Sequence, residues 1–394
     1  MVELMSPIKN KASFEACKKY ADGVYFSVSD FSMRAKANLS LKDLPNFVSN
    51  CHKNKIKAYL ALNSVIYNND LKKLENIVQK AKKSKVDSLI VWDPATIELA
   101  QNYKIPFFIS TQANVSNFKA VNFYEKIGAK RVILARELSL EQIKEIKKNT
   151  KIEIEVFVHG AMCLAISGRC TLSAYFENKS ANKGSCYQLC RREWTMLDRY
   201  NNKLITTGKY FLSPKDLCMI EYIPELIEAG IDAFKIEGRN RDPKYIATTA
   251  RTYKEAIKAY YNKTFSKKKA QEWKKELQKV YNRNFTTGFY FGEPTASGIN
   301  FTHSGSAASL KKILLGNIIH YYPKDKVGVL LLKHQGLQKG EKISIEGETT
   351  FFEQEIESIQ VNKKKINSAQ KGQEIGIKVK NKVRKNDKVF VIKE

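Results

Sequence analysis

Cysteine, histidine and tryptophan are scarce in this chain: 394 residues hold seven Cys, five His and three Trp. The histidines are too scattered to suggest a metal triad. There is no HExxH, no GxSxG elbow and no P-loop, which removes the commonest zinc-protease, serine-hydrolase and nucleotide-hydrolase signatures. No apolar run approaches the roughly 20 residues that span a bilayer. The opening MVELMSPIKNKASFEAC has no basic stretch followed by an apolar core, so no export signal is expected. A cytoplasmic protein without a membrane partner is the expectation. Disulfides are rare in such a compartment, so clustered cysteines there point to a metal or to catalysis. Internal repeats and low-complexity tracts are also missing.

What the chain has in excess is positive charge. Sixty-eight Lys and Arg face forty Asp and Glu, a formal +28. Solubility needs far less, so a polyanionic partner is implied, with RNA or DNA first. A general enrichment of Lys, Asn and Ile would produce the same imbalance, so charge does not decide the matter alone.

The first 240 residues alternate short β-branched runs with amphipathic helical segments. Strands are expected at 2–5, 23–26, 57–62, 88–92, 106–109, 131–135, 153–158 and 233–236. Ser116 is placed to cap the helix NFKAVNFYEKI, with Gly128 beyond its end, and Ser139 with Gln142 forms a capping box. Eight βα units predict an α/β fold, a closed (β/α)8 TIM-like barrel over 1–295, with a doubly wound open sheet as the alternative. An insertion at 159–215 follows strand seven and contains the expected hairpin EWTMLDRYNNKLITTG; two added helices occupy 242–278. A linker at 296–318 and a small antiparallel β-barrel at 319–394 complete the expected organisation. The barrel predicts polar residues at the strand ends, and these are present: Asn63, Asp93, Thr111, Gln112, Asn114, Arg136, Glu137, His159, Glu237 and Arg239.

Four of the seven cysteines, Cys163, Cys170, Cys186 and Cys190, lie within twenty-eight residues as C-x6-C-x15-C-x3-C. Four thiolates can complete a tetrahedral zinc shell or hold a cubane iron–sulfur cluster. Structural zinc usually draws on two short knuckles, and only the second pair here is close, so the spacing favours the cluster without excluding zinc. Arg169, Arg191 and Arg192 flank the cysteines and could neutralise cluster charge or hold an anionic substrate. His159 and Cys163 would form a thiol-protease pair only on a helix, whereas His159 is expected at a strand end.

The run EVFVHGAMCLAISGRCTLSAYF with GSCYQLCRREW resembles the signature of the collagenase-like peptidase family, the thirty-second of the unassigned peptidase families. ELMSP, FSMRAKAN, STQANVSN, VILARELSLEQI, LSPKDLCMI and KIEGRNRDPKYIATTARTYKEAI follow the same family in order from Glu3 to about Gly292. The resemblance implies an oxygen-independent hydroxylase with a 4Fe-4S cluster on the four motif cysteines. Family members act on tRNA, ribosomal RNA or a ubiquinone precursor. The tRNA branch is the most similar, which implies 5-hydroxyuridine at the wobble position with prephenate, a small anionic co-substrate, as hydroxyl donor. It makes Arg136, Glu137, His159, Lys235, Glu237 and Arg239 candidate catalytic residues, and Gln112, Asn114, Arg169 and Arg191 candidate substrate contacts. The short segment between Cys190 and LSPKDL departs from some tRNA-acting members and leaves the RNA target open. Ribosomal RNA hydroxylation, a peptidase as in the family name, and a zinc-stabilised RNA-binding module are the alternatives.

Overall fold

The structure is a computed structural model, which describes residues 1–28, 31–33, 39–203, 208–303, 305–362 and 364–393. Residues 34–38 of the FSMRAKAN motif and 204–207 of the expected hairpin lie outside the described residues. The chain divides into two compact units, one of Met1–Lys9 with Cys17–Ala307 and one of Asn10–Ala16 with Ala308–Glu394.

The first unit contains the parallel strands β1 (Glu3–Pro7), β2 (Gly23–Phe26), β3 (Lys57–Ala61), β4 (Ser88–Val91), β5 (Phe107–Ile109), β6 (Arg131–Ile133) and β7 (Glu153–Ala161). Three further strands follow: β8 (Asp216–Cys218), β9 (Ala233–Ile236) and β10 (Phe285–Thr286). Neighbouring strands pair in order from β1 to β7, β7 pairs with β9, and β9 returns to β1. The result is the closed eight-stranded parallel barrel that the alternation predicts. Strands of such a barrel are covered on both faces, and β2 and β4 are buried along their whole length.

Two elements differ from the expected pattern, both near strand seven. β7 runs on to Ala161 because β8 pairs antiparallel with its end, His159 opposite Cys218 and Ala161 opposite Asp216. His159 is therefore inside the strand, not beyond it. The expected hairpin at 193–208 is reduced, among the described residues, to a single bridge between Leu197 and Lys203. An Asp198 turn accepting from Tyr200 N (2.8 Å) and Asn202 N (2.9 Å) meets the local backbone donors instead of a ladder.

Capping follows side-chain reach. Ser139 and Gln142 form the expected box, with Gln142 Oε1 accepting from Ser139 N at 2.8 Å. The preceding helix, Phe118–Lys126, is capped by Asn117, which accepts from Ala120 N at 2.9 Å, and not by Ser116. Asp242 caps the helix Pro243–Tyr261 and Ser266 caps Lys267–Gln278.

The second unit is antiparallel. Its long strand β11 (Lys311–Tyr322) starts inside the stretch expected as linker. It is followed by β12 (Val327–Leu331), β13 (Leu337–Gln338), β14 (Lys342–Glu346), β15 (Phe351–Glu355), β16 (Ile359–Val361), β17 (Lys364–Ile366), β18 (Ser368–Ala369), β19 (Glu374–Lys378) and β20 (Lys388–Lys393). The pairing is that of an eight-stranded sheet from β15 to β17, with β13 and β18 as a separate ribbon. Where a small barrel was expected, the edge strands β15 and β17 do not pair among the described residues. β11 bends at a bulge between Leu314 and Gly316, so one strand serves both halves of the sheet around one core that includes Leu315, Ile343 and Val391. A Cβ on Gly316 would stand 2.0 Å from Leu331 O, so only glycine permits that approach.

Candidate active site

The C-terminal ends of the barrel strands enclose a cavity of about 160 Å³. Its floor is polar because of one buried cluster. Lys235, on β9, donates from Nζ to Glu155 Oε1 at 2.6 Å and lies 4.3 Å from the centre of the Tyr25 ring. Burial pulls its ammonium below the ordinary lysine range, and Arg239 and Arg131 add to that pull while Glu155 opposes it. Glu155 also accepts from Arg131 Nη1 at 3.0 Å. Tyr25 donates to Ile236 O at 2.8 Å and lies 3.3 Å from Glu237 Oε2. Burial drives the Tyr25 phenol well above its usual pKa, so it acts as a donor.

The walls are amide and guanidinium groups. Asn63 Nδ2 donates to Gln112 Oε1 at 3.0 Å and to Ser110 Oγ at 3.1 Å. Arg136 donates from Nη1 to Ala161 O at 2.7 Å, and its guanidinium lies 3.7 Å over the Phe157 ring, which aims it across the end of β7. Arg239 uses its two Nη atoms on Ser32 Oγ and Met33 O, and its buried Nε has no partner among the described residues. Arg136, Glu137, Lys235, Glu237, Arg239 and Gln112 therefore come together as the sequence predicts.

A second cavity of about 60 Å³ adjoins the first through the shared residues Met162, Cys163 and Glu237. Cys163, Cys186 and Cys190 line it with Arg191, Arg241 and Arg283. Cys170 does not line it; its Sγ accepts from Leu172 N at 3.4 Å and its N–H donates to Asn182 Oδ1 at 3.1 Å. Among the described residues none of the four cysteines is in a disulfide, and all four are half-buried. Among the described residues no three Cys, His, Asp or Glu side chains stand at ion-binding spacing. The donor set nevertheless fits a thiolate-held group in kind: three thiols share one cavity, the fourth is on the same insertion, and three guanidiniums offset the negative charge of thiolates. Arg283 Nε is buried without a partner on this cavity, while its Nη atoms hold Asp216 Oδ1 at 3.2 Å and Gln188 Oε1 at 3.0 Å.

Four expected residues are placed elsewhere. Arg191 lines the thiol cavity, but its Nη1 and Nη2 atoms hold Pro214 O and Met162 O, so it clamps the cysteine loop; burial and Arg283 pull it down to about 10. Arg169 is exposed and lies 5.3 Å over the Trp92 ring. Asn114 ends a 3-10 turn in the left-handed region and lines neither cavity. His159 also lines neither. Alternation along β7 would turn it inward after Glu155 and Phe157, but a register shift between Phe157 and His159 reverses the facing. The ring is instead surrounded by Tyr245, Tyr253 and Phe285, with Tyr253 Oη 3.3 Å from Nδ1.

Burial pushes the His159 imidazole down to about 3, with the Arg241 charge adding to the effect. The folded chain thus excludes a proton that the unfolded chain binds below pH 6.5. Stability from this group is complete above that pH and is lost as pH falls towards 3. Between pH 7 and pH 5 the loss is about 2 kcal/mol. Urea unfolding of the parent and of His159→Gln at both pH values checks this: the variant should show that much less pH dependence, and equal dependence would refute it.

Tyr25, Glu155, Arg241 and Arg283 escaped sequence reasoning. Tyr25 and Glu155 sit within strands, where only an inward-facing parity marks them. Arg283 stood in no recognised strand context, since the two-residue β10 brings it back to the barrel through β8.

Residues 9–300 match a family model described as Peptidase family U32. The chain is 42% identical to an uncharacterized protease of Methanocaldococcus jannaschii, over 100% of this chain and 99% of that protein. It is 37% identical to a collagenase of Porphyromonas gingivalis, over 98% and 97%. With tRNA hydroxylation protein P1 of Bacillus subtilis it shares 34% identity, over 90% of this chain and 84% of that protein.

Proposed function

Because the chain belongs to peptidase family U32, and because its barrel mouth joins a cationic cavity to a thiol cavity, we propose that it hydroxylates RNA. The finer reading is 5-hydroxyuridine formation at the tRNA wobble position, with prephenate as hydroxyl donor and a 4Fe-4S cluster on Cys163, Cys170, Cys186 and Cys190. The observation that carries it is the sharing of Cys163 and Glu237 by the two cavities, which puts a substrate chamber beside the thiols. When bound, such a cluster supplies one-electron transfer there.

The chain's own residues would do the rest. Arg136, Lys235 and Arg239 present cations to the carboxylates of a small dianion. Asn63 and Gln112 offer amide edges for a pyrimidine extruded from its strand. Replacing C5–H by C5–OH with a hydroxide equivalent from the donor releases one proton and two electrons. The donor's C–O bond breaks as hydroxide leaves, balanced by loss of one carboxylate as CO2 and aromatisation of its ring. Glu237 takes the proton from C5, and two equivalents of an external one-electron acceptor take the two electrons. The peptidase reading, carried by the names of two relatives, has less support: among the described residues no histidine lines either cavity, so neither offers a thiol–imidazole pair there.

Mass spectrometry of tRNA nucleosides tests the reading. Cells lacking the protein should lose 5-hydroxyuridine-derived nucleosides, and the parent gene should restore them. Cys163→Ala should restore none and reduce bound iron from about four per chain. Glu237→Gln should keep the iron yet fail to restore the nucleoside. Full modification by Cys163→Ala would end the proposal, and one zinc per chain without iron would favour the zinc-stabilised module.

A further inference from the structure

Eight of the sixteen large apolar side chains exposed among the described residues lie between Leu164 and Tyr200, in the stretch that carries the cysteines. Single exposed apolar residues need no explanation, but this concentration beside a cavity marks an interaction surface. Leu164 and Ile166, each 53% exposed, also line the mouth cavity, so the surface begins at its rim. Tyr175, at 83% exposure, and Phe176 continue it on the helix Leu172–Glu177, and Tyr187 follows on the loop between Cys186 and Cys190.

These pieces are fastened together. Tyr187 N donates to Ser173 Oγ at 3.1 Å, Phe176 meets Trp194 edge to face with centroids 5.5 Å apart, and Arg192 pairs with Glu177 at 2.8 Å. Cations interleave with the rings: besides the buried Arg191, residues 164–203 carry six Lys and Arg against three Asp and Glu. Lys183 lies 4.5 Å over the Tyr67 ring, and that ring is itself 52% exposed.

We propose that this surface is a stacking platform for the unpaired loop of a structured RNA. Bases lie on Tyr175 and its neighbouring rings, the interleaved cations meet the phosphates, and an adjacent base turns into the mouth cavity. The inference rests on the RNA-hydroxylase reading and adds the substrate's conformation to it. A single-stranded polynucleotide offers what the surface presents, a π face and an anion at each nucleotide. An apolar protein face would leave the net positive charge of the stretch unmatched, and duplex RNA keeps its bases inside the helix.

Binding of the full-length protein to a synthetic anticodon stem-loop, and to a blunt RNA duplex of equal length, tests it by fluorescence anisotropy. Tyr175→Ala should weaken stem-loop binding roughly tenfold and leave duplex binding unchanged, while Tyr175→Phe should bind as the parent does. Stem-loop binding by Tyr175→Ala equal to the parent's overturns the platform while the hydroxylase reading stands. Failure of the parent to bind any RNA, together with unchanged tRNA nucleosides in cells lacking it, overturns the hydroxylase reading and the platform with it. Loss of self-association in Tyr175→Ala on sedimentation, with RNA binding intact, assigns the surface to a second copy and overturns the proposal.

Discussion

Glu155→Gln is expected to destabilise the barrel by roughly 3–5 kcal/mol, the cost of leaving a buried charge without its partner. Glu155 is completely buried and holds two cations at once, Arg131 Nη1 at 3.0 Å and Lys235 Nζ at 2.6 Å. Arg131 keeps Glu3 and Glu153 as further partners, at 2.7 and 2.6 Å. Among the described residues Lys235 pairs with no carboxylate besides Glu155, so it bears most of the loss. Deprotonation of Lys235 would relieve part of the strain, and its pKa should fall further in the variant. Denaturant unfolding followed by tryptophan fluorescence measures the change. Glu153→Gln is the control, because that side chain is 52% exposed and water screens the pair; its cost should stay below about 1 kcal/mol. Equal effects of the two substitutions would show that the buried network does not behave as a unit.

Gly160→Ala is expected to damage both stability and turnover. Gly160 sits at φ +105°, where an L side chain is strained. An added Cβ would stand 2.4 Å from Glu237 O and 3.0 Å from Glu237 Cβ. The blocking atom is backbone, so the contact is relieved only by moving β7 away from the residues after β9. Strain and overpacking together should cost on the order of 3 kcal/mol. Any relief displaces Glu237, which lines both cavities. The proposed RNA hydroxylation should therefore fall on the order of a hundredfold at temperatures where the variant remains folded. A thermal melt with nucleoside mass spectrometry separates the two effects. Parent-like activity in a folded Gly160→Ala chain would mean that the position of Glu237 is not critical to the reaction.

Most barrel strands could be read because each is a short apolar run buried on both faces, so a run of hydrophobic residues was enough. Strand-end chemistry was legible for a related reason: a barrel gathers the residues after its strands, and Arg136, Glu237 and Arg239 follow theirs directly. The four cysteines stood out against a chain poor in sulfur. Ser116 and Asn117 are both good caps by residue type, and only backbone geometry selects Asn117.

By its own composition and order the sequence determined the barrel, the cysteine insertion and the gathering of polar residues at one end, since these depend on periodicity and spacing along the chain. Tertiary structure alone decided which way His159 faces, which thiols share a cavity, and that Tyr25, Glu155 and Arg283 join the site. The side-chain direction of a strand residue depends on register with its partners. The bulge opposite Ile236 reverses the facing of His159, and the pairing of β8 with both β7 and β10 carries Arg283 to the cysteines. Those pairings join residues 55 to 78 positions apart in the chain, beyond the range of any local pattern.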